Sequence, residues 1–286
     1  MVKFVAEFTT NHLGNLNLAL KMIEEAKQVG CDYIKLQKKD VNTFYSQEKL
    51  DKLYHSPYGK TWGDYRRMFE FNSEDFNRID KKCKELNIKW FSTVQDTYSL
   101  DFLLKYDLPI YKVASINARN VNFLKEIEEK IPKDKTIVLS VGGSSLKEIE
   151  QALTIINKHQ IYLLHCVAEY PCKIENLRLG NIPILKKEFE NNRIKIGYSG
   201  HGKGITDACV AIMLGAEMVE KHFCLSRHSF THHIDCALDT EEYQELISFK
   251  VALDSSFGMS QLEESFLIKY MYGKEYIQEK SSFGET

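Results

Sequence analysis

An eightfold alternation of short apolar runs with segments of helical period restricts the folds open to this chain more than any other feature. Val2–Phe8 reads as a strand, and Leu16–Val29 as a helix whose buried side carries Leu16, Ala19, Leu20 and Ile23, capped by Asn15 and stopped by Gly30. The alternation continues with strands over Asp32–Gln37, Ile88–Thr93, Ile110–Val113, Thr136–Ser140, Ile161–His165, Ile194–Gly197 and Met218–His222. Helices are expected over Ser73–Leu86, Thr97–Lys105, Val121–Lys130, Ser145–Lys158, Leu177–Glu190, Ile205–Leu214 and Thr240–Phe257.

Short strands alternating with helices of this length imply parallel strands joined by right-handed crossovers, and eight such units close into a (β/α)8 TIM barrel. An open doubly wound sheet is the alternative, and it lacks the Gly-rich turn after the first strand that a dinucleotide site needs. A length of 286 residues suits one large α/β domain. The expected organisation is a barrel over residues 1–257 and a C-terminal extension or linker over 258–286. Residues 38–72 interrupt the rhythm: long, aromatic and charged, with a short helix over Trp62–Phe69, they are expected to form a lid or a dimer contact.

A net charge of −2 leaves no basic surplus for a nucleic acid partner. No apolar run is long enough to span a bilayer. Seven cysteines with no paired spacing, and no leader-like N-terminus, point to a reduced cytoplasmic protein with buried thiols; a zinc site at Cys166, Cys172 and Cys236 lacks any CxxC pair.

Reactive groups in such a barrel belong where strands end and loops begin. Those positions hold Glu7, Lys35, Gln37, Ser92, Thr93, Lys112, Ser115, Ser140, His165, Tyr170, Ser199, His201, Glu220 and His222. A lone serine or threonine there also serves as a helix cap or turn former. Lys35 and Lys112 say more, because an ammonium inside an apolar strand needs a counter-charge. A structural salt bridge would supply it; a bound phosphate would too, and Ser115 and Ser140 nearby favour the phosphate. His201 and His222, on neighbouring strand ends, with Glu7 or Glu220 and water, suit an exchangeable divalent ion, Mn²⁺ with Mg²⁺ or Co²⁺ as alternatives. The run His228, His232, His233 is read as a solvated loop with one useful histidine.

These residues resemble the sialic acid synthases, which join phosphoenolpyruvate to an aldose such as N-acetylmannosamine. The likeness runs from about Phe4 to Tyr243. It is carried by Ala6-Glu7, Asn11-His12-Leu13-Gly14, Lys35-Leu36-Gln37, Phe91-Ser92-Thr93 and Tyr111-Lys112-Val113-Ala114-Ser115. It continues in Leu139-Ser140-Val141-Gly142-Gly143, Leu164-His165-Cys166 to Tyr170-Pro171, Gly197-Tyr198-Ser199-Gly200-His201 and Glu220-Lys221-His222-Phe223. The resemblance implies that Lys35, Lys112, Ser115, Ser140 and Ser199, with Thr93 nearby, hold the phosphate and carboxylate of phosphoenolpyruvate. It likewise implies that His201 and His222 bind the metal, and that Glu7, Gln37, Tyr170 and Glu220 surround the reacting carbons and the acceptor.

The resemblance also has departures. Gly200 stands where the family usually has aspartate, and Ala168 where it often has an acceptor-binding asparagine. Thr231-His232-His233 replaces a Gly-Pro-Asp whose aspartate faces the sugar, so His233 enters the candidate substrate site. The family's C-terminal antifreeze-like domain is not part of this sequence. The expected activity is a phosphoenolpyruvate-dependent condensation by a cytoplasmic homodimer. A metal-dependent sugar isomerase or aldolase, or a non-catalytic sugar-phosphate-binding protein, is the alternative.

Overall fold

The structure, a computed structural model, describes residues 2–231 and 233–257. Its strands are β1 (Lys3–Glu7), β2 (Tyr33–Lys38), β3 (Leu53–Ser56), β4 (Gly59–Thr61), β5 (Lys89–Val94), β6 (Ile110–Val113), β7 (Thr136–Ser140), β8 (Gln160–Cys166), β9 (Ile194–Gly200) and β10 (Met218–His222). All but β3 and β4 are parallel and form a closed barrel in the order β1-β2-β5-β6-β7-β8-β9-β10, with β10 returning to β1 through the register Lys3↔Met218 to Glu7↔His222. The expected barrel is therefore present, and the open sheet is not.

The helices start where side chains satisfy the free amides of the first turn. Asn15, Asp96 and Asn120 cap the helices Leu16–Gln28, Thr97–Leu103 and Val121–Lys130, while Asn72 with Asp75 and Ser145 with Glu148 form reciprocal capping boxes. The helix expected over Leu177–Glu190 is shorter, Asn181–Phe189, because Arg178 takes a left-handed backbone (φ 49°) after a 3-10 turn at Ile174–Asn176. Pro183 then falls in the first helical turn, where its missing N–H costs no bond. Strand β9 extends three residues past the expected Gly197, since Ser199 and Gly200 pair with Glu220 and Lys221.

Strand alternation explains how one barrel interior is both a core and a site. Val5, Phe91, Ile110, Val138, Leu164 and Met218 form a buried cluster, with Tyr33 and Tyr162 against it. Each buried side chain of this kind contributes roughly 1.5–3 kcal/mol. Two residues further along the same strands, and so on the same face, stand Glu7, Lys35, Thr93, Lys112, Ser140 and Glu220. Gly197 lies between layers: a Cβ there would come within 2.4 Å of Leu164 Cδ2 and 2.7 Å of the Met218 carbonyl, so its absence makes room for the core.

Residues 38–72 fold as short helices Val41–Phe44, Gln47–Asp51 and Trp62–Arg67 around the β3-β4 hairpin. The helix ends two residues before the expected Phe69, and the two earlier helices and the hairpin carry no signal strong enough to be expected. Tyr54, Trp62, Tyr65 and Phe69 pack ring against ring, and Tyr58 and Tyr65 reach Phe230 at 6.5 Å. The unit Met1–Lys250 contains the barrel; Val251–Thr286 forms a second unit, described only for 251–257, the end of the helix Thr240–Phe257. The extension expected over 258–286, like His232, lies outside the described residues. Among the described residues no helix is long and apolar enough to cross a membrane.

Candidate active site

The carboxyl ends of the barrel strands open into a cavity of about 360 Å³. Glu7, Lys35, Gln37, Thr93, Lys112, Ser115, Ser140, Tyr170, Ser199, His201, Glu220, His222 and His233 all line it, whereas Ser92 and His165, also at strand ends, do not: Ser92 is buried with its hydroxyl on the Thr93 carbonyl, and His165 Nε2 lies 2.9 Å from the Leu177 carbonyl. Period-two alternation accounts for those on the strands: one register step would turn each of them outward.

The floor is an ionic cluster. Lys35 Nζ lies 3.0 Å from Glu7 Oε2 and 2.8 Å from Glu220 Oε1, and Lys112 Nζ lies 3.6 Å from Glu220 Oε2. Ser199 Oγ donates to Glu220 Oε1 at 3.0 Å, Gln37 Nε2 donates to Glu7 Oε1 at 2.9 Å, and Lys112 donates to Ser140 Oγ. The lysines thus have the salt bridges that the sequence left open, with a single carboxylate, Glu220, serving both. Burial opposes the Lys35 ammonium, but Glu220 and Glu7 outweigh it and hold its pKa above the usual value. Burial dominates at Lys112 and lowers its pKa, despite the pull of Glu220.

The two carboxyls diverge. Burial raises Glu7 to about 7 against the pull of Lys35, with the negative charge of Glu220 adding to the rise. Burial also opposes ionisation of Glu220, but Lys112 and Lys35 together reverse the balance and lower it to about 2. Glu7 is the carboxyl able to carry a proton near neutrality, and Glu220 is held as the anion.

Above them, the rings of His201 and His222 lie 5.4 Å apart at 87°. The 2.6 Å contact from His201 Nδ1 to the Val167 carbonyl requires the proton on Nδ1, which leaves the Nε2 lone pair available. Burial pushes His201 down to about 4 and His222 well below its usual value, so both are the neutral imidazoles that a metal needs. Among the described residues no three His, Cys, Asp or Glu side chains group to hold a metal. Glu7 and Glu220 are engaged by Lys35, so water rather than these carboxylates is left to complete a shell. Two nitrogen donors fit an exchangeable divalent ion and not a closed structural site. Tyr170 lies between His201 at 4.2 Å and His233 at 4.1 Å, its ring tilted against each by 46° and 37°, whereas His228 is exposed. All seven cysteines are free thiols.

Several lining residues had no individual signal. Lys39, Phe44, Tyr45 and Arg66 come from residues 38–72, which makes that segment part of the cavity wall. Their charged and aromatic composition was visible, but which of them turn inward was not. Gly200 has a packing reason to lack a side chain: a Cβ would lie 2.6 Å from Tyr198 Cε1 and 2.8 Å from both Asp207 Oδ2 and Lys221 Cδ. A buried network occupies that space, with Lys221 Nζ donating to the Gly202 carbonyl at 2.7 Å and to Asp207 at 3.1 Å, and Tyr198 Oη donating to Asp207 at 2.9 Å. The stretch Asn11 to Gly14 is a clasp: Asn11 donates to the Phe223 carbonyl at 2.9 Å, His12 stacks on Phe71 at 4.3 Å, and Gly14 (φ 65°) leaves room for the Met68 carbonyl.

The profile of the NeuB family matches residues 22–261. The chain is similar to the N-acetylneuraminate-9-phosphate synthase of Drosophila melanogaster, 34% identical over 97% of this chain and 74% of that protein. It is 33% identical to the N,N'-diacetyllegionaminic acid synthase of Campylobacter jejuni over 85% of this chain and 73% of that one. Among solved structures, the N-acetylneuraminic acid synthetase of Leptospira borgpetersenii in complex with citrate superposes with a TM-score of 0.81 at 28% identity, covering 94% of this chain and 90% of that one.

Proposed function

The chain belongs to the NeuB family, and from that membership and the chemistry of the cavity we propose that it condenses phosphoenolpyruvate with an aldose to give a 3-deoxy-2-keto sugar acid of the nonulosonate kind, releasing phosphate. The observation that carries this reading is the floor of the cavity. Two buried lysines share one buried carboxylate, with Ser115, Ser140 and Ser199 lining the same space. That arrangement provides positive charge and hydroxyl donors for a compact trianion while keeping the empty site close to neutral.

C3 of phosphoenolpyruvate attacks the acceptor aldehyde, and the new carbon–carbon bond leaves a negative charge on the aldehyde oxygen and a positive one at C2. Glu7, protonated near neutrality, gives its proton to that oxygen. Water then adds to C2, and its proton returns to Glu7. The C2–oxygen bond to phosphate breaks as the C2 hydroxyl becomes the ketone, the hydroxyl proton leaving with the phosphate. Lys35, Lys112 and the serines hold the phosphate through this sequence, and Glu220 keeps both lysines in place. The reading includes a divalent ion, Mn²⁺ or in its place Mg²⁺ or Co²⁺, held by His201 through Nε2 and by His222. Such an ion supplies charge that polarises the acceptor carbonyl.

The purified protein with phosphoenolpyruvate, Mn²⁺ and a panel of aldoses is expected to release phosphate in step with a 2-keto acid. Sugar turnover that needs no phosphoenolpyruvate would instead mark an isomerase or aldolase. Binding of sugar phosphates with no turnover in Mn²⁺, Mg²⁺ or Co²⁺ would overturn the catalytic reading.

A further inference from the structure

The cavity holds a second concentration of positive charge, contributed by residues 38–72 instead of the strand ends. Lys39 and Arg66 both line it, and they are only 6% and 4% exposed. Among the described residues no hydrogen bond or ion pair reaches the Lys39 ammonium, which rests over the rings of Phe44 at 4.8 Å and Tyr45 at 5.6 Å. Nearby acids are committed elsewhere: Glu70 pairs with Lys38 at 3.1 Å, Asp96 caps the helix Thr97–Leu103 and accepts from the Asp40 amide at 2.8 Å, and Glu7 pairs with Lys35. His233 lines the same cavity and feels both cations. Burial, and Arg66 after it, lower the Lys39 pKa to about 7, so the lysine is held where its charge is poorly compensated.

A buried ammonium without a counter-ion is costly, and a cavity that keeps one beside a guanidinium is arranged for an anion. In the condensation reading, on which this inference rests, the phosphate and carboxylate of phosphoenolpyruvate already have Lys35, Lys112 and the serines. The anion that Lys39 lacks, in a cavity that Arg66 also lines, must then belong to the other substrate. We infer that Lys39 and Arg66, with His233 beside them, bind a terminal phosphate on the acceptor, so that the acceptor is an aldose phosphate and not a free aldose. The three carbons of phosphoenolpyruvate join at acceptor C1, so a hexose 6-phosphate would leave as a 9-phosphate product. The similarities do not choose between the two classes, because a 9-phosphate synthase and a synthase named without a phosphate match at 34% and 33% identity. The buried cations do.

The test measures kcat/KM with phosphoenolpyruvate and Mn²⁺ for matched pairs of acceptors: N-acetylmannosamine, mannose and arabinose, each against its terminal phosphate. The wild-type protein is expected to prefer the phosphorylated member of at least one pair by about 100-fold or more. Lys39→Met and Arg66→Met should each cut that preference by at least about 10-fold, mainly through KM for the phosphorylated acceptor, while Lys39→Arg keeps most of it. A wild-type enzyme that uses the free aldoses as well as their phosphates would overturn the inference. So would variants that lose both members of a pair in equal proportion. If no acceptor yields a keto acid, the condensation reading fails, and calorimetric titration with the same pairs still decides the phosphate site. Tighter binding of a phosphate that is lost in Lys39→Met supports it, and equal binding of sugar and phosphate, or binding that Lys39→Met leaves intact, refutes it.

Discussion

Glu7→Gln is expected to remove activity while making the folded chain relatively more stable as pH rises. The carboxyl is almost wholly buried; burial raises its pKa against the 3.0 Å contact with Lys35, to about 7 from a usual 4.5. Because an acid with a raised folded pKa binds more protons folded than unfolded between those two values, wild-type stability should fall as pH rises through that window and level off above about 8. At about 1.36 kcal/mol per pKa unit, the loss is roughly 3 kcal/mol. Glutamine carries no such proton and keeps a polar group beside Gln37 and the Thr9 amide. Whatever constant cost the substitution brings through the weakened Lys35 contact, the stability of the variant minus that of the wild type should increase by roughly 2–3 kcal/mol from pH 5 to pH 8. Urea unfolding of both proteins at four pH values in a chelator measures this difference directly. Phosphate release should fall by about 100-fold or more in the same variant. A difference that stays flat within about 0.5 kcal/mol across the range would mean that Glu7 ionises normally beside Lys35, and the proton given to the aldehyde oxygen would have to come from elsewhere.

Lys112→Met should raise KM for phosphoenolpyruvate by about 100-fold while leaving KM for the acceptor within a few-fold, since Lys112 and its partner Ser140 stand in the donor half of the cavity; equal losses for both substrates would contradict that division. His201→Ala and His222→Ala should each abolish Mn²⁺ binding seen by electron paramagnetic resonance, and chelation should silence the wild type reversibly; retention of Mn²⁺ by both variants would remove these histidines as ligands. Lys221→Met leaves Asp207 buried without its cation and should cost about 3–5 kcal/mol in urea unfolding, and a loss below about 1 kcal/mol would show that the network behind Gly200 is not needed for packing. Light scattering is expected to give the mass of two chains, and a one-chain mass would refute the proposed homodimer.

The legibility of this protein differs by level. The fold could be read because each of the eight units is a local pattern: an apolar run of strand length, then a helical stripe begun by a residue such as Asn15, Asn72 or Ser145 that satisfies free amides. The candidate site could be read because strand ends converge in a barrel, so Glu7, Lys112 and His222, more than one hundred residues apart in places, needed only the fold to become neighbours. The helix over Leu177–Glu190 came out shorter because Arg178 adopts a left-handed backbone for which its own side chain gives no sign.

By itself the sequence determined the barrel, the ring of polar side chains around its mouth and the choice of lysine, serine and histidine there, since all of these follow from periodicities of two and 3.6 residues. Only the tertiary structure decided the state of those groups. Burial and charge are properties of a neighbourhood: Glu220 is an anion because two lysines from other strands reach it, and Glu7 keeps a proton because burial, with the negative charge of Glu220 beside it, outweighs the pull of Lys35. Tertiary structure likewise turned Lys39 and Arg66 into the cavity while closing the space above Gly200, because a segment without a clear period takes its conformation from what it packs against.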